Sequence, residues 1–158
     1  MTATEPGRID LDDATFERFY RDTEPRLRRA LIATYGPETG REATADALAW
    51  AWEHRDRLPA IDHPVRYLYR VGQSRARRRK IRVLHGRNDW TEPWVEPELA
   101  GGLVRLSEQQ RVTVILVHGY GWTLAEVAEL LDVKRTTVQN HLERGLARLR
   151  THLKVTAP

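Results

Sequence analysis

The 158-residue sequence contains no cysteine, one methionine and two phenylalanines. Without cysteine there can be no disulfide, no thiol chemistry and no thiolate metal site, which is compatible with a reducing cytoplasm. No apolar run is long enough to cross a bilayer. The opening stretch MTATEPGRIDLDD has neither the basic start nor the apolar core of a signal peptide. A soluble, cytoplasmic protein with no membrane partner is therefore expected. The histidines (54, 63, 85, 118, 141 and 152) are scattered, and no two make a helical i, i+4 pair around a glutamate. No serine sits in a nucleophile elbow and no glycine-rich loop cradles phosphate. The sequence thus predicts no catalytic residue, no cofactor and no metal ligand.

Acidic charge is in the minority: 26 Lys+Arg stand against 22 Asp+Glu, and the pI is near 9.7. That balance suits a polyanionic partner but says nothing about fold. What the sequence does have is helical periodicity, and the expected fold class is all-α, two small helical domains joined by an irregular linker. A first helix is expected over residues 13–35, started by Asp12 or Asp13 and kinked or divided at Pro25. A second is expected over about 38–57, with Ala45, Leu48, Ala49 and Trp52 as its apolar face. A third begins near Pro64, which suits a first helical position. It turns Leu68, Val71 and Ile81 inward and carries Arg66, Arg70, Arg75, Arg77, Arg78, Arg79, Lys80 and Arg82 without an acid among them. The segment HGRNDWTEPWVEPELAGG has no usable period and reads as an acidic linker. The resulting division is a flexible N-terminus 1–12, a helical domain 13–84, a linker 85–103, a second helical domain 104–153 and a tail 154–158.

The second domain carries the more specific signal. Ser107 with Gln110, and Thr123 with Glu126, match capping boxes and place two helix starts. Helices are expected over about 108–119, 124–131 and 135–153, the last with Val138, Leu142, Leu146 and Leu149 on its core face. The tight turn DVK, with Ala128 and Val133 at the crossing, makes the last two a helix-turn-helix, the end of a four-helix module. The other face of the last helix shows Arg135, Thr136, Gln139, Asn140 and Glu143. These are side chains that can pair with guanine, adenine and cytosine edges in a major groove. Lys134, Arg144 and Arg148 are better placed for phosphate.

The stretch LSEQQRVTVILVHGYGWTLAEVAELLDVKRTTVQNHLERGLARLR resembles the fourth region of extracytoplasmic-function sigma factors, of the sigma-70 family. The matching pieces are Leu106, Gln110 and Arg111, then Ala125-Glu126-Val127-Ala128, Thr137-Val138, and Arg144 through Arg150. The LuxR-type response regulators end in a similar module, and TVQNHL is close to theirs. The first domain separates the two. Phe16, Phe19, Tyr20, Pro25, Leu27, Ala51-Trp52, Pro64, Tyr67, Leu68, Tyr69 and Arg70 are similar, in order, to the second region of the same sigma factors.

The resemblance implies a protein that catalyses nothing itself and gives core RNA polymerase its promoter specificity. The C-terminal module would read the duplex minus-thirty-five element through Lys134, Arg135, Thr136, Thr137, Gln139, Asn140 and Arg144, and touch the β flap. Asp46, Trp50, Trp52 and Arg55 would dock on the β′ coiled coil. Arg66, Tyr67, Arg70, Arg75, Arg77 and Arg78 would hold the melted minus-ten strand, with Tyr67 and Tyr69 offering stacking surfaces beside arginines. The linker would thread the polymerase channel, with Trp90 and Trp94 either anchoring it or packing the two domains together in the free protein. Core RNA polymerase, promoter DNA and an anti-sigma factor are the implied partners. Departures from the family pattern are Ala45 where a glutamine is usual, Ser74 for an asparagine, a helix-weakening Gly72, and Lys134-Arg135 in place of a capping Ser-Glu. Two rival readings remain: a dimeric helix-turn-helix regulator that binds duplex DNA without polymerase, and a polymerase-binding protein that has lost promoter recognition.

Overall fold

The computed structural model describes residues 11–82 and 96–154. Residues 1–10 of the expected flexible start, most of the expected linker with Trp90 and Trp94, and the tail from 155 lie outside the described residues, as do the side chains of Arg79, Lys80, Ile81 and Arg82. Among the described residues all regular structure is helical: α1 (Asp13–Tyr35), α2 (Pro37–Glu53), α3 (Pro64–Arg82), α4 (Pro97–Val104), α5 (Glu108–Val114), α6 (Leu124–Leu131) and α7 (Arg135–His152). The all-α expectation holds. Among the described residues no helix is long and apolar enough to cross a membrane, and no group of three or more His, Asp or Glu could hold a metal ion.

α1 starts where Asp12 accepts a 2.8 Å hydrogen bond from the Thr15 N–H. Its hydrogen bonds to Thr15 hold that carboxyl below the usual range. Pro25 does not divide the helix. Phe16 and Thr23 before it, and Leu27, Ala30 and Leu31 after it, are all buried, so packing holds both halves in line. Gly36, at φ 89°, reverses the chain between α1 and α2 in a region that favours glycine.

α2 corrects the expected apolar face. Ala43, Thr44, Ala47, Leu48 and Ala51 are buried, while Ala45, Ala49 and Trp52 are exposed. Alanine occupies every second position from 43 to 51, and Leu48, Trp50 and Trp52 are interleaved with it, so apolar residues fall on every side of the helix and a 3.6-residue period does not choose a face. The helix also ends at Glu53, earlier than expected, and a short 3-10 turn, Leu58–Ala60, follows.

In α3 Leu68 is fully buried and Val71 half-buried, as expected. Gly72 packs directly against Leu31: a Cβ there would meet the Leu31 Cδ1 at 2.6 Å, so the residue that weakens the helix is also what lets α3 approach α1. α4 overlaps the end of the segment expected as linker, with Ala100 and Leu103 buried against Leu149. Four residues of that apolar octapeptide are too few to show a period.

The helix expected over 108–119 changes character at Ile115. Residues Ile115–Gly119 form a π turn in which the Tyr120 N–H reaches the Ile115 carbonyl. This leaves the Leu116 carbonyl to accept from the Trp122 N–H at 2.9 Å, which fixes the loop before α6.

α1, α2 and α3 pack on one another, and α5, α6 and α4 pack on α7. α1 also packs on α5, and α3 on α6. One buried cluster therefore runs through both halves, joining Leu27, Leu31, Leu68 and Tyr69 to Val112, Leu116, Trp122, Val127 and Val138.

Candidate nucleic-acid interface

The helix-turn-helix is assembled by local chemistry. The Glu126 N–H donates to Thr123 Oγ1 at 3.1 Å, and the Thr123 N–H donates to Glu126 Oε2 at 2.8 Å, which closes the capping box. That backbone bond holds the Glu126 carboxyl below its usual range. α6 ends at Asp132, at φ 56° and ψ 49°, and the Val133 N–H returns to the Ala128 carbonyl at 3.1 Å. α7 starts after Lys134 with no side-chain cap, since an ammonium group cannot accept from the helix N–H groups.

Fully buried Val138, with Gly145 and Leu149, fixes the rotation of α7. Arg135, Thr136, Gln139, Asn140, Glu143 and Arg144 are consequently exposed together, and Lys134 beside them, while Thr137 is half-buried and Leu142 and Leu146 lie only partly inward. Gln139 Nε2 donates to Glu143 Oε1 at 3.1 Å, which orients the Gln139 amide on the helix surface. Arg148, expected at phosphate, is exposed and donates to Gln110 Oε1 at 3.2 Å, which ties α7 to the start of α5.

The cationic face of α3 is arranged differently. Arg66 and Arg70 both donate to Asp132, at 3.2 and 3.0 Å, and Arg77 lies 3.5 Å from Glu108. Arg75 and Arg78 are exposed. Tyr67, 41% exposed, leans on Trp50 at 5.1 Å between ring centroids, and Trp50 stacks on His54 at 4.3 Å. Tyr69 does not share that surface. It is 2% exposed, its hydroxyl lies 2.7 Å from that of Thr34, and burial pushes its phenol above the ordinary range. Two residues along a helix turn a side chain through about 200°, so Tyr69 points away from Tyr67, into the core.

The residues expected to meet polymerase are not gathered on one face. Trp50 turns toward α3. Trp52 lies two positions on, 41% exposed, edge-on to Phe16 at 4.9 Å and under the Arg55 guanidinium at 4.3 Å. Asp46 lies one turn before Trp50 and is half-buried.

Sequence reasoning missed the residues that join the halves. Arg111 of α5 donates twice to the Thr34 carbonyl, at 3.1 and 2.9 Å, at the carboxyl end of α1, where a cation complements the helix dipole. Burial pulls its pKa down, opposed by Glu108. Tyr35 donates to Glu108 at 3.0 Å, and burial together with that carboxylate raises its phenol pKa. Arg26 sits 4.6 Å over the Trp122 ring and 3.5 Å from Glu126. A cleft of about 280 Å³ remains between α3 and α5–α6, lined by Arg70, Gln73, Arg77, Glu108 and Val112 among others. The 126, 129, 132 spacing of acids along α6 was legible, but not what they face.

Residues 99–149 match the family model of sigma-70, region 4. The fold of the whole chain is that of solved sigma factors. The sigma factor RpoE of Bartonella quintana, in complex with the anti-sigma factor NepR, is 19% identical with a TM-score of 0.63 over 90% of this chain and 98% of that one. CnrH, in complex with the cytosolic domain of CnrY, is 19% identical with a TM-score of 0.61 over 92% of both chains. No curated protein matches in sequence. The match to the region 4 model takes in most of α4 and is confined to the second half, and over the chain the likeness to these sigma factors is one of fold.

Proposed function

We propose that this chain is a sigma factor that binds core RNA polymerase and directs initiation at particular promoters. α7 reads the duplex minus-thirty-five element through Arg135, Thr136, Gln139 and Asn140. α3 holds the melted minus-ten strand with Arg66, Arg70, Arg75, Arg77 and Arg78 on its phosphates and Tyr67 under a base. Trp52 and Arg55 on one side of α2, and Trp50 and Asp46 on another, contact the polymerase. Residues 13–84 act as one working domain and 104–153, extended at its front by α4, as the other, with the rest of 85–103 between them. The observation that carries the reading is the pairing, in one chain with a sigma-factor fold, of an open helix-turn-helix face with a separate cationic and aromatic helix. RpoE is seen with the anti-sigma factor NepR and CnrH with the cytosolic domain of CnrY, and an anti-sigma factor is proposed for this chain by that likeness.

The test is transcription by core RNA polymerase with and without the purified chain, on a library of promoter fragments. Selective initiation that depends on the chain is expected. Failure to bind core, together with tight binding to a palindromic duplex, would replace the reading with a dimeric regulator.

A further inference from the structure

We propose that an acidic edge of the C-terminal half stands in for nucleic-acid phosphates on α3. In the closed chain α3 is masked while the reading face of α7 stays open. The inference rests on the sigma-factor reading for the role of α3.

Arg66, Arg70, Gln73 and Arg77 are spaced by one turn and lie along one side of α3. Each meets an acid from the other half. Asp132 accepts from both Arg66 and Arg70, and Glu108 accepts from Gln73 at 3.3 Å and lies 3.5 Å from Arg77. Just before the helix, His63 Nδ1 lies 3.0 Å from Glu129. Arg26–Glu126 has the same polarity, with the cation in the N-terminal half and the acid in the C-terminal half. A carboxylate taking two guanidinium groups presents oxygens much as a phosphate does, and arginine binds either through the same donors.

The acids also have the placement such a stand-in needs. Glu129 and Asp132 share one edge of α6, and Glu108 opens α5, so three carboxylates run beside α3 over about the length that its cations span. The buried cluster between the halves sets their register. Every one of these pairs is solvent-exposed to some degree and individually weak. A strand of higher charge density can therefore displace them. Arg135, Thr136, Gln139 and Asn140 are exposed and take no part in these pairs. The closed chain is thus able to meet a duplex before it can hold a single strand. Arg75 and Arg78 are exposed and outside the clasp, so masking lowers single-strand affinity without abolishing it.

The test uses the full chain carrying Asp132→Asn with Glu129→Gln. Asparagine suits the left-handed backbone at 132, so the turn is kept. A charge-matched control carries Glu96→Gln with Glu98→Gln, both exposed and at the start of α4. Binding of labelled single-stranded DNA is titrated at low and high salt. The clasp variant is expected to bind about threefold to tenfold more tightly than the control at low salt. The gap should close at high salt. Equal binding by the two variants would overturn the proposal, since net charge alone would then explain any gain. A second readout needs no nucleic acid. Spin labels at Ala60→Cys and Ala125→Cys, in a chain with no native cysteine, report the separation of α3's lead-in from α6. The clasp variant is expected to broaden that distance distribution, and an unchanged distribution would also overturn the clasp. If instead the labels separate but neither form binds core polymerase, the clasp stands and the sigma-factor reading is what fails.

Discussion

Thr123 shows how much one side chain settles. Its hydroxyl takes the Glu126 N–H and its own N–H is taken by the Glu126 carboxylate, so the start of α6 is fixed before any tertiary contact forms. Thr123→Ala should lower stability by about 1 kcal/mol, read from the urea midpoint. The same pair makes a pH prediction. Glu126 has a depressed pKa in the folded chain, so its contribution is complete above the ordinary glutamate range and is lost as pH falls through the folded value. The wild-type chain should therefore be more stable than Glu126→Gln at neutral pH, and the melting temperatures should converge in acid. The effect is small because more than a third of the Glu126 side chain is open to water, which screens its charge. Both caps were legible from single residues and their spacing. The opposite holds for Tyr69: its identity says as much for stacking as for burial, and only its angle around α3 from Tyr67 places it in the core.

At the scale of the element, start and stop signals predicted α1, α6 and α7 closely, because caps, Gly36 and the prolines act locally. Faces were another matter. On α7 the bulky Val138 and Leu149 oriented the helix correctly. On α2 the run of alternating alanines could not, and Trp52, assigned inward by period, turned outward. The exposed face of α7 separates two kinds of contact. Asn140→Ala should weaken binding to a selected duplex by about 1–3 kcal/mol and relax preference at one base position. Arg144→Ala should weaken all duplexes alike and reduce the salt slope by about one. Titrations of matched and mismatched duplexes at several salt concentrations check both.

On the scale of the whole molecule, the two helical halves are joined by one buried cluster, by Arg111 on the Thr34 carbonyl and by Tyr35 on Glu108. Units that share a core lose it together. Calorimetry of the full chain should give one transition, with calorimetric and van't Hoff enthalpies in agreement. Two resolved transitions would mean that each half is held chiefly by its own contacts.

The helices, their caps, the turn chemistry and the polar face of α7 were determined by the sequence alone, since each depends on residues within a turn or two of one another. Which side of α2 is buried, where Tyr69 points, that residues 97–104 are helical, and that the cations of α3 are met by Glu108 and Asp132, were decided only by tertiary structure. Those outcomes depend on residues in other elements of the chain, and no local period or cap carries information about what a surface will face once the chain has closed on itself.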